Sequence, residues 1–138
     1  MDENKILAVI GRIHRSGNRF IERELKKHHI HGIAPSHGDI LYQLFIREDI
    51  TMNQLSSSID KDKSTITALV DKLVRLDYVK REQDRTDGRI YRLSLTAKGR
   101  ELQPIFEEVS AALLAAVYEG FDPEEKQQLI GLLERIRL

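Results

Sequence analysis

The chain contains no cysteine and no tryptophan. Without thiols it has no disulfides, no thiolate metal site and no cysteine nucleophile. Four Phe and four Tyr are the only aromatics, so the core of these 138 residues must rest on Leu, Ile, Val and Ala. That length suits one domain with a working core. Long apolar runs are missing too. The longest candidate, Ala111 to Tyr118, falls far short of a bilayer-spanning helix. Met1-Asp2-Glu3-Asn4-Lys5 has neither the basic start nor the apolar stretch of a secretion signal, so a cytoplasmic location without membrane contact is expected.

Catalytic signatures are equally scarce. There is no His-Glu-x-x-His helix, no glycine-rich phosphate loop and no Gly-x-Ser-x-Gly turn. Ser56-Ser57-Ser58 has no base placed beside it. His28, His29 and His31 cluster where a first helix should end, which suits a solvated helix C-terminus better than a metal site. His14 and His37 stand alone. No enzyme, metal or cofactor is expected.

What is present is a patterned stretch from Thr51 to Gly99. Thr51-Met52-Asn53-Gln54 is a capping box, followed by Met52, Leu55 and Ile59 on one helical face. The break Asp60-Lys61-Asp62-Lys63 supplies a second cap at Asp62. Ile66, Leu69, Val70 and Leu73 then recur at helical spacing. The opposite face carries Ser64, Thr65, Thr67, Ala68, Asp71, Lys72 and Arg75, a short polar surface able to meet base edges in a major groove. Val79 to Gln83 and Ile90 to Leu95 tolerate strand geometry. Asp87-Gly88 between them signals a two-residue hairpin turn with positive φ at both positions. Helix, turn, helix and basic hairpin together make a winged helix.

The helices around it are also legible. Residues 3 to about 29 read as one long helix, with Ile6, Ile10, Ile13, Gly17 and Phe20 forming a helix-packing seam. Pro35 and Ser36 open a second helix, with Ser36 and Asp39 as its cap and Ile40, Leu41, Leu44 and Phe45 facing inward. Thr96 caps another long helix with an apolar stripe from Leu102 to Val117; Pro104 should bend it and Gly120 end it. Asp122-Pro123-Glu124-Glu125 starts the last helix with a cap, a proline at the first helical position and dipole-compensating acids. The terminal helices carry more apolar surface than one small winged helix can cover. Packing within a single chain and a dimer interface are the two ways to bury it.

The formal net charge is zero, but its distribution is uneven. Between Lys61 and Arg92 nine Lys or Arg stand against six Asp or Glu, and residues 1 to 31 hold seven against four. From Arg100 onward the balance reverses to four against eight. Such a gradient orients a protein on DNA with its acidic end turned away.

The stretch from Thr51 to Gly99 resembles the multiple-antibiotic-resistance regulator (MarR) family of bacterial transcription factors. The resemblance rests on Ser64-Thr65-Ile66-Thr67, Leu69-Val70-Asp71-Lys72-Leu73, the Asp-Arg-x-Asp-x-Arg run at 84 to 89, and Leu95-Thr96-Ala97-Lys98-Gly99. It implies a mainly α (α+β) fold with the winged helix-turn-helix at 36–96. Residues 1–32 and 97–138 would then form a helical dimerisation region within a single MarR-type domain, 1–138. The implied function is a homodimeric regulator, a repressor, on palindromic double-stranded DNA. Its recognition helix would be 63–76 and its wing 84–92. Ser64, Thr65, Thr67 and Ala68 would face bases, their hydroxyls donating or accepting and their methyls meeting thymine. Lys61, Lys63, Lys72 and Arg75 suit phosphates. Arg85 and Arg89 can reach a minor groove, with Asp84 and Asp87 pairing to them and ordering the tip. Resemblance also suggests a small anionic aromatic or phenolic effector between the dimer helices and the winged helix, where Arg15, His37 and Tyr42 offer polar groups. Lacking cysteine, the chain is outside the family's thiol-based peroxide sensors.

Two residues depart from the family pattern. Lys63 stands where proline is common, and Asp77 where glycine often closes the recognition helix, which leaves the wing angle open. The rival reading is a winged-helix module whose recognition face binds protein.

Overall fold

The computed structural model describes residues 2–138. A 3₁₀ turn at Glu3–Lys5 leads into α1 (Ile6–Lys27), followed by α2 (Pro35–Ile46), β1 (Ile50–Thr51), α3 (Met52–Ser58) and α4 (Lys63–Arg75). The hairpin β2 (Val79–Gln83) and β3 (Tyr91–Leu95) comes next, then α5 (Ala97–Arg100), α6 (Leu102–Val117) and α7 (Pro123–Glu134). The three strands form an antiparallel sheet in the order β1-β3-β2, with Ile50 opposite Leu93 and Val79 opposite Leu95.

The core sits beneath the helix-turn-helix. Ile40, Leu41 and Leu44 of α2, Leu55 of α3, and Ile66, Val70 and Leu73 of α4 are buried against Ile50, Val79 and Leu93 of the sheet. Each helix therefore delivers one apolar stripe to a common centre. Phe45 meets Phe106 edge to face at 5.8 Å between ring centroids, which joins the winged helix to α6.

Four of the expected caps form, among them Thr96, whose hydroxyl oxygen accepts from the Gly99 N–H at 3.0 Å. Thr51 Oγ1 accepts from the Gln54 N–H at 3.1 Å, while Gln54 Oε1 accepts from the Thr51 N–H at 2.9 Å. Asp62 caps α4, and Asp122 with Glu125 caps α7. The cap of α2 is a correction. The helix starts at Pro35, not with a Ser36–Asp39 cap, and the His37 ring accepts from the Ala34 N–H through Nδ1 at 3.0 Å. Ala34 has no side-chain acceptor, so His37 does this work alone from inside the helix.

Two helices end on left-handed residues that are not glycine. His29 (φ 60°) and Asp77 (φ 64°) follow α1 and α4. After α4, the Asp77 N–H bonds to the Val74 carbonyl and the Tyr78 N–H to the Leu73 carbonyl, both at 3.0 Å, and His29 and Ile30 repeat the pattern after α1. These are Schellman closures, where glycine is usual because a Cβ is crowded at positive φ.

The segment Thr96–Gly99 clamps the turn after α4. The Thr96 hydroxyl donates to the Asp77 carbonyl at 2.5 Å, the Thr96 N–H to the Tyr78 carbonyl at 3.1 Å, and Lys98 Nζ to the Leu76 carbonyl at 3.0 Å. A Cβ on Gly99 would lie 2.0 Å from the Tyr78 carbonyl oxygen, so only glycine fits. The helix beyond is also shorter than periodicity suggests, because it breaks at Glu101 between α5 and α6. Pro104 explains the break: it has no N–H to give to the Arg100 carbonyl.

The ends of the chain are less buried. Ile6, Leu7, Ile10 and Ile13 of α1 are exposed, as are Leu114 and Val117 of α6 and Ile130, Leu132, Leu133 and Ile136 at the C-terminus. No residue of α7 is buried. Among the described residues no helix is long and apolar enough to cross a membrane.

The clamp predicts opposite effects for two neighbouring changes. Gly99→Ala should cost about 1–3 kcal/mol or more by overpacking against backbone. Asp77→Gly should stabilise by about 0.5–1 kcal/mol, the relief of left-handed strain less the added unfolded-state freedom. Urea unfolding at one fixed protein concentration checks both, with the midpoints moving in opposite directions.

Candidate nucleic-acid interface

The surface of interest begins at Asp62. Its Oδ1 accepts from the Thr65 N–H at 2.7 Å and from the Ser64 hydroxyl at 2.8 Å. These bonds, the Thr65 N–H first, hold its carboxyl below the usual carboxylate range, so the cap is charged at neutral pH. With Ile66, Val70 and Leu73 committed to the core, the helix leaves Lys63, Ser64, Thr65, Thr67, Ala68 and Arg75 exposed, with Lys61 just before the cap. The Thr67 hydroxyl donates to the Lys63 carbonyl at 2.8 Å.

Lys72 does not join this surface. It is half-buried and runs back toward the loop between α1 and α2, where a Cβ on Gly32 would lie 3.9 Å from Lys72 Cε. There it faces His37. Burial first, then the Lys72 charge, lowers the His37 pKa. His37 is therefore neutral in the fold at pH 7. Below 6.5 the unfolded chain takes up a proton that folded His37 resists, so α2 loses stability as the solution becomes acid.

The hairpin tip departs from the expected two-residue turn. Seven residues, Asp84 to Ile90, connect the strands, and neither Asp87 nor Gly88 has positive φ. One carboxylate replaces the tight turn. Asp84 Oδ2 accepts from the Thr86 hydroxyl at 2.6 Å, the Asp87 N–H at 3.0 Å and the Thr86 N–H at 3.1 Å. Its Oδ1 accepts from Arg92 Nε at 2.7 Å. The Asp84 side chain is only 13% exposed. These partners, the Thr86 hydroxyl first and the Arg92 guanidinium next, hold its carboxyl well below the ordinary carboxylate range.

The pairing also differs from expectation in one half. Asp87 pairs with Arg89, whose Nε lies 3.2 Å from Asp87 Oδ1, and the Arg89 side chain remains 92% exposed. Asp84 pairs with Arg92, not Arg85. Arg85 is exposed and has no ion pair among the described residues. Arg92 is the residue that sequence reasoning missed. It lies on β3 opposite Glu82, and its Nη1 reaches Asp49 Oδ2 at 3.4 Å, bridging the wing to the loop before β1. A second tie runs between reader and wing: Arg81 Nη1 of β2 contacts Asp71 Oδ1 of α4 at 2.6 Å.

The proposed ligand residues occupy separate places in this chain. His37 is buried at the start of α2, Arg15 is exposed on α1, and Tyr42 lines an open groove with Asp39, Gln43, Ser58 and Lys61.

The sequence and the fold that carry this polar helix face and basic hairpin match known proteins. A model of the MarR family matches residues 31–90. The regulator YkoM of Bacillus subtilis, an HTH-type transcriptional regulator, is 31% identical over 130 residues, covering 94% of this chain and 82% of its own. The chain belongs to the MarR family. Among solved structures, the MarR protein from Peptoclostridium difficile superposes with a TM-score of 0.85 at 27% identity, covering 98% of this chain and 86% of that one. Overoxidized AbfR bound to DNA superposes with a TM-score of 0.74 at 26% identity, covering 96% of this chain and 89% of that one. For this MarR-family chain the likeness spans the terminal helices as well as the winged helix.

The wing makes a pH-resolved prediction. Asp84→Asn removes the charge from four hydrogen bonds, so amide exchange at Thr86 and Asp87 should accelerate while the helical core is unchanged. In the wild type the wing's contribution is present above the unfolded carboxylate value of 3.8 and fades only as pH falls toward the lower folded value. Slow exchange at these two amides should therefore persist at pH 4 in the wild type and be absent in Asp84→Asn at every pH.

Proposed function

We propose that this protein is a homodimeric repressor that reads palindromic duplex DNA, one half-site per protomer. As a MarR-family member it is a DNA-binding transcriptional regulator and not an enzyme. The observation that carries the homodimer is the pair of unpartnered apolar ends. Leu7 is 73% exposed on α1 and Leu132 58% on α7, and two-fold pairing of these helices is the economical way to bury them. Two-fold symmetry then calls for two related half-sites.

Within each protomer, Ser64, Thr65, Thr67 and Ala68 face base edges. Lys61, Lys63 and Arg75 neutralise phosphates, while Lys72 braces α4 against the α1–α2 loop. Arg85, without a carboxylate partner, and Arg89 enter the minor groove, and Asp84 and Asp87 hold the tip that presents them. A repressor needs only occupancy of a promoter, which a reader of this size supplies in the cytoplasm where its DNA lies. A small anionic aromatic or phenolic effector would act by preferring one spacing of the two readers. Arg15 on α1 and Tyr42 on α2 offer it exposed polar atoms, and His37 caps the helix that carries Tyr42.

The dimer and the DNA contacts can be checked separately. Sedimentation of the full chain at micromolar concentration should give a dimer, and Leu132→Glu should weaken it by about 3 kcal/mol or more, since each copy buries an unpaired carboxylate. A stable wild-type monomer would overturn the homodimer. On DNA, Arg85→Ala should weaken all sequences evenly and flatten the log–log salt slope by about 0.9 per lost phosphate contact, so by about 1.8 for two wings. Thr67→Ala should instead redistribute preference at one or two positions per half-site, at about 1 kcal/mol. An unchanged salt slope for Arg85→Ala would remove the wing from the DNA interface.

A further inference from the structure

The first turns of α4 carry hydroxyls whose protons are already in use. Ser64 Oγ donates to Asp62 Oδ1 at 2.8 Å, and Thr67 Oγ1 donates to the Lys63 carbonyl at 2.8 Å. The direction of both bonds is unambiguous, because a backbone carbonyl and an ionised carboxylate only accept. The neighbouring α3 repeats the arrangement, with Ser57 donating to the Asn53 carbonyl at 3.0 Å and Ser58 to the Gln54 carbonyl at 2.9 Å. Releasing the Ser64 proton to a base would break a charge-assisted bond, roughly twice as strong as a neutral one.

The remaining residue types narrow the options further. From Lys61 to Val74 there is no Arg, Asn or Gln, the side chains that read guanine or adenine through bidentate bonds. Lys63 shares a helical row with Thr67 and buried Val70, which sets it at the flank of the exposed face. The centre of that face is the row Ser64, Ala68 and Arg75, with Arg75 at the far end of the helix. Apart from the Thr65 hydroxyl, whose residue bonds Asp62 through its N–H, the base-facing turn therefore presents methyl groups and oxygen lone pairs.

We propose, resting on the DNA-binding reading above, that the recognition turn of this protein selects A·T pairs through their thymine methyl and adenine N6 amino groups, and does not read guanine. An A·T pair offers the adenine N6 donor and the thymine methyl in the major groove, on either side of the thymine O4 acceptor. Of the two, only the methyl has no counterpart on a G·C pair. Together they complement the Ala68 and Thr67 methyls and the Ser64 and Thr67 oxygens. A guanine edge presents two acceptors, N7 and O6, which would face oxygens with no proton to give. Selectivity thus arises from Asp62 and the Lys63 carbonyl, which commit the hydroxyl protons before DNA arrives.

Duplexes selected from random DNA by the full-length protein provide the test. The best duplex is remade with deoxyuridine for single thymines and with 7-deazaguanine for single guanines. At one or two positions per half-site, uracil should weaken binding about fourfold, the equivalent of about 0.8 kcal/mol for one buried methyl, while 7-deazaguanine in the major-groove half-site should change nothing. Ala68→Gly should abolish the thymine-over-uracil preference at one of those positions and keep it at others, which a general loss of helix stability would not do. Asp62→Asn keeps a capping side chain but lowers its charge, and should admit guanine into selected half-sites. Half-sites that need guanine N7, or indifference to every uracil replacement, would overturn the proposal while leaving DNA binding intact. Selection that returns no preferred sequence would overturn both.

Discussion

The orientation of the wing on the recognition helix depends on three residues, Leu76-Asp77-Tyr78. They are the whole connection between α4 and β2, so their backbone conformation decides where the hairpin points. Asp77 holds a left-handed conformation that a non-glycine residue resists. It stays there because its neighbours over-determine it. Thr96, Lys98 and Gly99 close on the carbonyls of Leu76, Asp77 and Tyr78, and the Tyr78 carbonyl leaves no room for a side chain on Gly99. Leu95-Thr96-Ala97-Lys98-Gly99 thus reads as a motif because every position in it but the spacer serves one joint. Lys98 adds its charge over the Tyr78 ring, 4.8 Å from the centroid.

Much of the fold was legible because its helix ends are chemically marked. The Thr51–Gln54 box, the Asp62 cap and the Asp122-Pro123 start are local interactions within four residues, so local sequence suffices to find them. The features that escaped are non-local or degenerate. β1 is two residues long and exists only because Ile50 pairs with Leu93 far along the chain. The cap of α2 comes from a buried histidine, while Ser36 and Asp39 offered the more familiar chemistry. At the wing, Asp87-Gly88 resembles a tight turn, yet Asp84 gathers four hydrogen bonds and makes a wider loop preferable. The candidate site shows the same division. Exposure of Ser64, Thr65, Thr67 and Ala68 follows from helical periodicity, whereas the Asp84–Arg92–Asp49 bridge needs the register of a sheet to be seen. Lys72 was misplaced because a wheel projection gives its direction from the axis and ignores the loop it meets.

Charge and apolar surface divide the molecule along a different line from its core. The winged helix leaves only Ile46 of its large aliphatic side chains exposed and keeps its cations, half-buried Lys72 apart, at the surface. The C-terminal helix does the reverse: α7 packs no buried residue in its own chain, and its Ile130 and Leu133, with Ile136 just beyond it, face solvent beside an acidic surface. A helix of that length is marginal in water without packing. A second copy of the chain would give it packing, while the acidic charge around it would keep this end away from phosphate.

This division constrains how DNA binding can be controlled. Inside one protomer, reader and wing are fixed to each other by the Asp71–Arg81 pair, the Asp84–Arg92–Asp49 bridge and the clamp at Asp77. Deforming that unit means breaking several coupled interactions at once, which is costly for any small ligand. Moving it as a block is cheaper, because its connections to the terminal helices run through α2, α5 and side-chain packing such as Phe45–Phe106, while α1 and α6 are tied to each other by His28–Glu108. A palindromic site amplifies such movement, since both half-sites must be met at one fixed separation. An effector of the proposed kind would therefore act on the spacing of two rigid readers. The same linkage requires DNA to change effector affinity by the factor that the effector changes DNA affinity.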